Sequence, residues 1–311
     1  MRILITGGAG FIGSHLCDSL IEKGNNVTVM DNLILGKKEN INHLSGRNNF
    51  KFIEEDILNI ESLKKVFLEG NFEMIFHLAA NSDIQKGSTN PEVDYNLTFN
   101  TTFNVLQCMR EFEVKKLFFA STSAIYGETS ERLTEDFGPL LPVSNYGAGK
   151  LASEAFISAF SASYGFQTWI TRFPNVVGER FTHGVIYDFI GRLKTNPDIL
   201  RVLGNGQQNK PYMYVKDLVE GILFVCENSN EYYNVYNLGS ESRTKVCEIA
   251  QMVIEEMNLS SRIEYTGGDR GWVGDVPEFR YDLSKIHTLG WKAMYNSNDS
   301  VRLAIKKILG K

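Results

Sequence analysis

The chain has 311 residues, 43% of them hydrophobic and 22% charged, with a formal net charge of −5; it is long enough for one large or two modest globular domains. That charge offers no basic surface for nucleic acid, and no run of apolar residues is long enough for a membrane span. The first residues enter an apolar strand at once, which predicts no signal peptide. The cysteines Cys17, Cys108, Cys226 and Cys247 are widely spaced, without metal-site spacing, and read as buried thiols of the reducing cytoplasm; no metal is expected.

In chain order, residues 2–6 form a short apolar run, read as a buried strand. Gly7-Gly-Ala-Gly10-Phe11-Ile12-Gly13 follows directly, and residues 14–23 then carry apolar positions at helical spacing up to Gly24. A second strand over 26–30 leads to Asp31 and Asn32. Glycines between a strand and a helix are the context of a dinucleotide turn. Gly7 gives the tight turn, Gly10 lets the backbone with Phe11 and Ile12 approach a pyrophosphate, and Gly13 lets helix pack on strand. A carboxylate at Asp31 accepts hydrogen bonds from an adenosine ribose and repels a 2′-phosphate, so the expected cofactor is NAD and not NADP.

Further strands are predicted over 50–54, 74–77, 116–120, 168–172 and 233–238, and helices over 60–69, 94–113, 146–164 and 246–257. This alternation predicts an α/β fold, a Rossmann-type doubly wound parallel sheet covered on both faces, with ligands outside the carboxyl ends of its strands. Residues at those ends are therefore candidates. Asp56 and Ile57 suit the adenine, and the small residues of Leu78-Ala79-Ala80 let a flat cofactor lie close. Ser121-Thr122-Ser123 sets three hydroxyls in a row, although such a triplet also suits a plain turn. Tyr146 and Lys150 lie four residues apart on a predicted helix, which stacks them on one face. An ammonium beside a phenol favours the phenolate and makes it a usable base.

These segments together resemble the extended short-chain dehydrogenase/reductases of the nucleotide-sugar epimerase/dehydratase family, most of all members like the UDP-glucose 4-epimerases. The matching pieces are 7–13, Asp31, Asp56 with Ile57, 77–80, 121–127, 146–150, 172–178, 204–217 and 271–275, in the family's order over nearly the whole chain. The resemblance implies that Tyr146 is the catalytic acid/base, that Lys150 lowers its pKa and holds the nicotinamide ribose, and that Thr122, with Ser123 beside it, meets the sugar's reacting oxygen. Asn175 matches an asparagine that meets the nucleotide diphosphate. The resemblance also implies an NAD-binding domain over 1–172, rejoined by segments near 212–245, and a substrate lobe over 173–311. A homodimer built on the helices 94–113 and 146–164 is expected by the same analogy.

Within such a family the residues after the catalytic hydroxyl divide the reactions. Similar 4,6-dehydratases carry Asp-Glu there, and similar decarboxylases carry a glutamate two residues on. This chain has Ser123 and Ala124. A methyl group transfers no proton, so one acid/base system is left, Tyr146 with Thr122. That set suits a 4-epimerase of a nucleotide-activated hexose, which takes one proton and one hydride and returns both.

The substrate end departs from the family's pattern. Lys210 stands where many relatives have arginine, and it neutralises a phosphate without the bidentate fork. In Arg270-Gly271-Trp272-Val273-Gly274-Asp275 the arginine is shifted, with Trp272 in its usual place; Arg270 is the candidate for the diphosphate. Thr98 falls where relatives usually have asparagine. Phe279 lies near a position that sets pocket size, and its ring leans toward plain hexoses. Asp217 and Arg180 are expected to be structural. Two rivals remain at this stage. A nucleotide-sugar reductase or epimerase-reductase of the same fold would exchange its cofactor instead of regenerating it. A non-catalytic NAD-sensing protein would have no need of Tyr146, Lys150 and Thr122 together.

Overall fold

A computed structural model of the chain describes residues 1–271 and 275–311; Trp272, Val273 and Gly274, named above, lie outside the described residues. The chain divides into two compact units, the first made of Met1–Ile125, Pro142–Arg172 and Ile222–Tyr236, the second of Tyr126–Leu141, Phe173–Gly221 and Asn237–Lys311.

A seven-stranded parallel sheet organises the first unit. Its strands are β1 (Arg2–Thr6), β2 (Asn26–Asp31), β3 (Phe50–Glu54), β4 (Met74–His77), β5 (Lys116–Thr122), β6 (Gln167–Phe173) and β7 (Tyr233–Asn237), in the order β7-β6-β5-β4-β1-β2-β3. The middle strands are near-continuous apolar runs because both faces are covered; every residue of β4 is buried. In register, Ile5 of β1 faces Val29 of β2 and Phe76 of β4, and His77 faces Phe119 of β5. The strand order reverses between β1 and β4, and there the ends of both strands open onto the place where doubly wound sheets hold their ligands.

Four helices carry the residues that matter here: α1 (Phe11–Glu22), α2 (Ile60–Gly70), α3 (Thr101–Glu111) and α4 (Asn145–Tyr164). The core joins Leu4, Ile75 and Leu117 of the sheet to Leu63 and Phe67 of α2, Val105 and Met109 of α3, and Ile157 and Phe160 of α4. Helix α4 starts where the Ser144 side chain accepts the Gly147 N–H and stops at Gly165, whose φ is +67°.

The helix expected over 94–113 is not one regular helix. Pro91–Asp94 is a short α-turn, Tyr95–Asn100 is π-helical, and only then does α3 begin. The Leu97 carbonyl accepts from Thr101 Oγ1 at 2.9 Å and the Thr98 carbonyl from Thr102 Oγ1 at 2.8 Å. Hydroxyls that bond back to carbonyls four residues earlier compete with the helical ladder, and periodicity alone does not show it.

In the second unit, Asn175–Val177 pairs with Tyr212–Tyr214 and Ile199–Val202 with Arg262–Tyr265, both parallel. Helices Val185–Thr195, Val246–Glu256 and Ser297–Ile308 supply the rest of its core through Ile186, Ile190, Ile249, Val253, Val301 and Ile305. Unlike the continuous 1–172 domain drawn from sequence, the segment Tyr126–Leu141 clusters with this unit. Its strand Arg132–Leu133 pairs with Arg280–Tyr281, and the Tyr126 hydroxyl donates to Asn237 Oδ1 at 2.7 Å. Likewise the segment clustering with the first unit is Ile222–Tyr236, shorter than the 212–245 expected.

Candidate active site

The nucleotide turn is built on a contact that excludes side chains. Gly7 has φ +74°, and a Cβ on it would stand 2.7 Å from the Ala79 nitrogen; one on Gly13 would stand 2.2 Å from the Gly7 carbonyl oxygen. The turn therefore needs glycine at both positions to bring β1, β4 and α1 together. Gly10 is the N-cap of α1 and has no side chain to close its first turn, which also holds no acidic residue. A helix leaves the N–H groups of that turn without intrahelical acceptors, which makes an anion site beside Phe11, Ile12 and Gly13.

Asp31 ends β2, buried beside this turn. Its Oδ2 accepts the Ala9 N–H at 3.0 Å and its Oδ1 the Leu33 N–H at 2.9 Å. Burial raises its pKa, opposed by these two backbone bonds. Each oxygen keeps a lone pair for a ribose hydroxyl. Asn32 Nδ2 donates to Asp56 Oδ2 at 3.1 Å, tying the ends of two loops, and Leu58 N–H bonds the other carboxylate oxygen at 2.8 Å. The Ile57 carbonyl accepts from Asn104 Nδ2 at 3.1 Å. Leu78, Ala79 and Ala80 follow β4, with the Leu78 N–H bonded to the Thr6 carbonyl at 3.0 Å. An open helix N-terminus, a turn cleared of side chains and a carboxylate at the second strand's end have the chemistry to hold NAD.

The candidate catalytic residues come together where α4 meets the end of β5. Lys150 is buried, and its Nζ donates to the Ala120 carbonyl at 2.7 Å while lying 4.5 Å from the centre of the Phe119 ring. Thr122 is hydrogen-bonded to Tyr146 and accepts the Ala124 N–H on Oγ1 at 3.1 Å, which leaves its proton for the phenol oxygen. Ser123 opens the one-turn helix Ser123–Tyr126.

In the protein alone, burial dominates the titration of both Tyr146 and Lys150. Burial pushes the phenol up to about 12; the Thr122 hydrogen bond opposes that and the Asp94 charge adds to it. The Lys150 amine is committed to Ala120, 6.0 Å from the tyrosine ring centre. Its own pKa is lowered by burial to about 7, with Glu154 acting against the fall. Burial thus disfavours the charged form of both groups.

The second unit holds the other candidates. Asn175 is exposed at the start of its strand, in register with Tyr212. Lys210 forms an ion pair with buried Asp275, and Arg270 is held by both oxygens of Glu128 at 3.0 and 2.9 Å. Phe279 is buried with its ring edge-on to Tyr281, centres 5.6 Å apart. Asp217 Oδ2 accepts the Tyr295 N–H at 3.0 Å, a structural bond. Arg180 has φ +66°.

Several contacts escaped the sequence reading. His77 is fully buried between Thr6 Oγ1 at 2.6 Å and Thr102 Oγ1 at 3.0 Å. Buried Asp94 accepts from Asn81 Nδ2 at 2.8 Å, and Thr98 Oγ1 accepts the Asn81 N–H at 3.3 Å. Glu154 lies one turn beyond Lys150, and its signal was present as a third residue at the same four-residue spacing. Among the described residues no group of three or more His, Cys, Asp and Glu side chains could hold a metal ion, and no helix is long and apolar enough to cross a membrane.

Comparison with known proteins adds four findings. A sequence model described as the NAD dependent epimerase/dehydratase family matches residues 3–239. The UDP-glucose 4-epimerase of Thermotoga maritima, solved with UDP-glucose, superposes with a TM-score of 0.89 at 31% identity, covering 99% of this chain and 98% of that one. That of Thermus thermophilus, solved with NAD, gives 0.88 at 31% identity over 100% and 99%. The human dTDP-D-glucose 4,6-dehydratase is 29% identical over 320 residues, 98% of this chain and 89% of that protein.

Proposed function

We infer that this chain, which belongs to the NAD-dependent epimerase/dehydratase family and has NAD as its cofactor, is a 4-epimerase of a nucleotide-activated hexose of the UDP-glucose/UDP-galactose type. The observation that carries this reading is the combination of Tyr146, Thr122 and Lys150 at one strand end with Ser123 and Ala124 where the dehydratases carry acids. Dehydration and decarboxylation each need a further proton-transfer group beside the hydroxyl, and this strand end offers none.

NAD, held by the N-terminus of α1, Asp31 and Lys150, would supply a positively charged ring able to accept and return a hydride at C4. Tyr146 removes the 4-hydroxyl proton and later returns it. With substrate bound, Thr122 turns its one proton from the phenol to the same oxygen and fixes the distance. Lys150 contributes charge and holds the ribose. Bringing a phenol from about 12 to near neutrality asks for about 7 kcal/mol, at 1.36 kcal/mol per unit. An ammonium and the cofactor's positive charge in a dry site are the means available. Lys210, Arg270 and Asn175 are the proposed diphosphate contacts, with Phe279 limiting the sugar pocket.

The same reading includes a homodimer. Tyr95, Phe99 and Phe103 make a ladder of ring contacts that Phe156 extends onto α4. Tyr95, Phe156 and Tyr164 are 59%, 40% and 38% exposed, an aromatic stripe suited to a second copy. A cytoplasmic setting fits the four cysteines, none of which forms a disulfide.

The test is to denature the purified protein, identify the released nicotinamide cofactor, and follow a panel of nucleotide hexoses by NMR. Inversion at C4 without net consumption of NAD is expected; accumulation of a 4-keto-6-deoxy sugar in its place overturns the reading.

A further inference from the structure

Three consecutive residues at the end of β5 meet three residues spaced by one turn on α4. The Ala120 carbonyl accepts from Lys150, the Ser121 hydroxyl donates to Glu154, and Thr122 bonds Tyr146. The middle contact has no part in the mechanism above. Glu154 is buried, and its Oε1 takes the Ser121 hydroxyl at 2.5 Å. Arg172, at the end of β6, reaches both carboxylate oxygens from Nε at 3.1 and 3.3 Å and Oε2 from Nη2 at 2.7 Å.

We propose that Glu154 is a positioning residue of the catalytic helix: its buried carboxylate joins the ends of β5 and β6 to α4 and supplies the negative charge that keeps the Lys150 amine protonated over Ala120. The proposal rests on the reading of Tyr146 and Lys150 as the working pair. A clasp between strands does not by itself require ions, because a buried ion pair can be replaced by apolar packing without loss of stability. Apolar packing cannot supply an anion one helical turn from a buried lysine whose hydrogen-bond acceptor is a neutral carbonyl.

The groups around the pair support this. His77 on β4 is neutral, its pKa lowered by burial to about 3. Tyr146 is a phenol, and Tyr233 on β7, beside Glu154, is pushed by burial up to about 12. Asp94 acts on Tyr146, and Arg172 is committed to the carboxylate. Glu154 is the group that favours the charged amine against burial.

The test uses the full chain with 13C-labelled lysine, with the Lys150 signal assigned by its loss in Lys150→Arg. In Glu154→Gln the titration midpoint of Lys150 should fall by about one pH unit, a tenfold fall in the ratio of protonated to neutral amine at a fixed pH; in Glu154→Asp, which keeps the charge, it should stay near wild type. Since Glu154→Gln takes away the carboxylate that Arg172 pairs with, Glu154→Gln/Arg172→Gln provides a second reference and should also show a fall. In turnover, loss of the carboxylate should lower the plateau kcat and move the acidic limb to lower pH together, because removing an anion lowers the apparent pKa values of a coupled pair. A structural role alone lowers kcat and leaves the limb in place. An unmoved Lys150 midpoint in a folded variant lacking the carboxylate overturns the proposal. A moved midpoint in a protein that inverts no nucleotide hexose upholds the electrostatic link and overturns the epimerase reading instead.

Discussion

A Cβ on Gly147 would stand 2.5 Å from the carbonyl oxygen of Ala124. The first turn of α4 thus rests directly on the turn that follows Thr122, and this contact sets how near Tyr146 comes to the hydroxyl it bonds. In Gly147→Ala the helix must retreat by about half an ångström to reach even a tight contact of 3.0 Å. Overpacking of this kind costs about 1–3 kcal/mol of stability, and misplacement approaching an ångström costs about 100-fold in rate. The expected result is a folded protein with kcat down by about one to two orders of magnitude and NAD binding little changed. Wild-type kcat in this variant would show that the Ala124 contact does not position Tyr146.

Tyr146→Phe removes the proton carrier and leaves the ring in place. With α1, Asp31 and Lys150 intact, the variant should retain NAD through purification. Its turnover should fall by about 10²- to 10⁴-fold, the usual range for an acid/base group. Thr122→Val should fall in the same direction and by less, since it removes the hydroxyl that bonds the phenol and not the phenol itself. Near wild-type rates in the tyrosine variant would take Tyr146 out of the mechanism.

How far the sequence could be read depended on whether a feature was local. The sheet strands, the glycine turn and the strand-end positions are local: apolar runs and glycine spacing mark them, and the strand order then brings Gly7 and Ala79 together. Contacts between distant segments were not legible. Nothing in Tyr126–Leu141 announces that its short strand pairs with Arg280–Tyr281 far along the chain. The π-turn at Tyr95–Asn100 depends on where the Thr101 and Thr102 hydroxyls point, which a helical period does not encode. At Tyr146 the four-residue spacing gives the nearness of Lys150 but not what its amine bonds. Lys150 spends its bond on Ala120, and burial dominates both groups.

His77 gives a prediction about pH and stability. Thr102 Oγ1 gives its proton to the Thr98 carbonyl, so it accepts from His77 Nε2–H, and the Thr6 hydroxyl donates to Nδ1. The ring is held as the neutral Nε2–H tautomer, and burial lowers its pKa from 6.5 to about 3. A depressed histidine lends stability above its unfolded value, and that stability is lost as pH falls toward the folded one. Between pH 6.5 and about 3 the loss approaches 1.4 kcal/mol per pH unit. His77→Gln should be less stable at pH 7.5 but lose less on acidification from pH 6 to 4.5. Denaturant midpoints that fall in parallel for both proteins over that range would assign the acid sensitivity elsewhere.

The last prediction concerns the competition for Arg270. Its guanidinium is held by Glu128 in an ion pair with both side chains more than 40% exposed. An exposed pair is worth only about 0.2–1 kcal/mol, whereas a charge-assisted bond to a ligand phosphate is worth about 1.5–3 kcal/mol. Phosphate should therefore win, and Glu128 should act as a weak competitor. Calorimetric titration with UDP tests both halves. Arg270→Met should weaken binding by about 10- to 100-fold, the range those bond energies imply. Glu128→Gln should tighten it by a few-fold at low salt, and the gain should fade as ionic strength rises and screens the exposed pair. If Arg270→Met binds UDP as wild type does, the diphosphate is held without Arg270, and Lys210 becomes the residue to replace next.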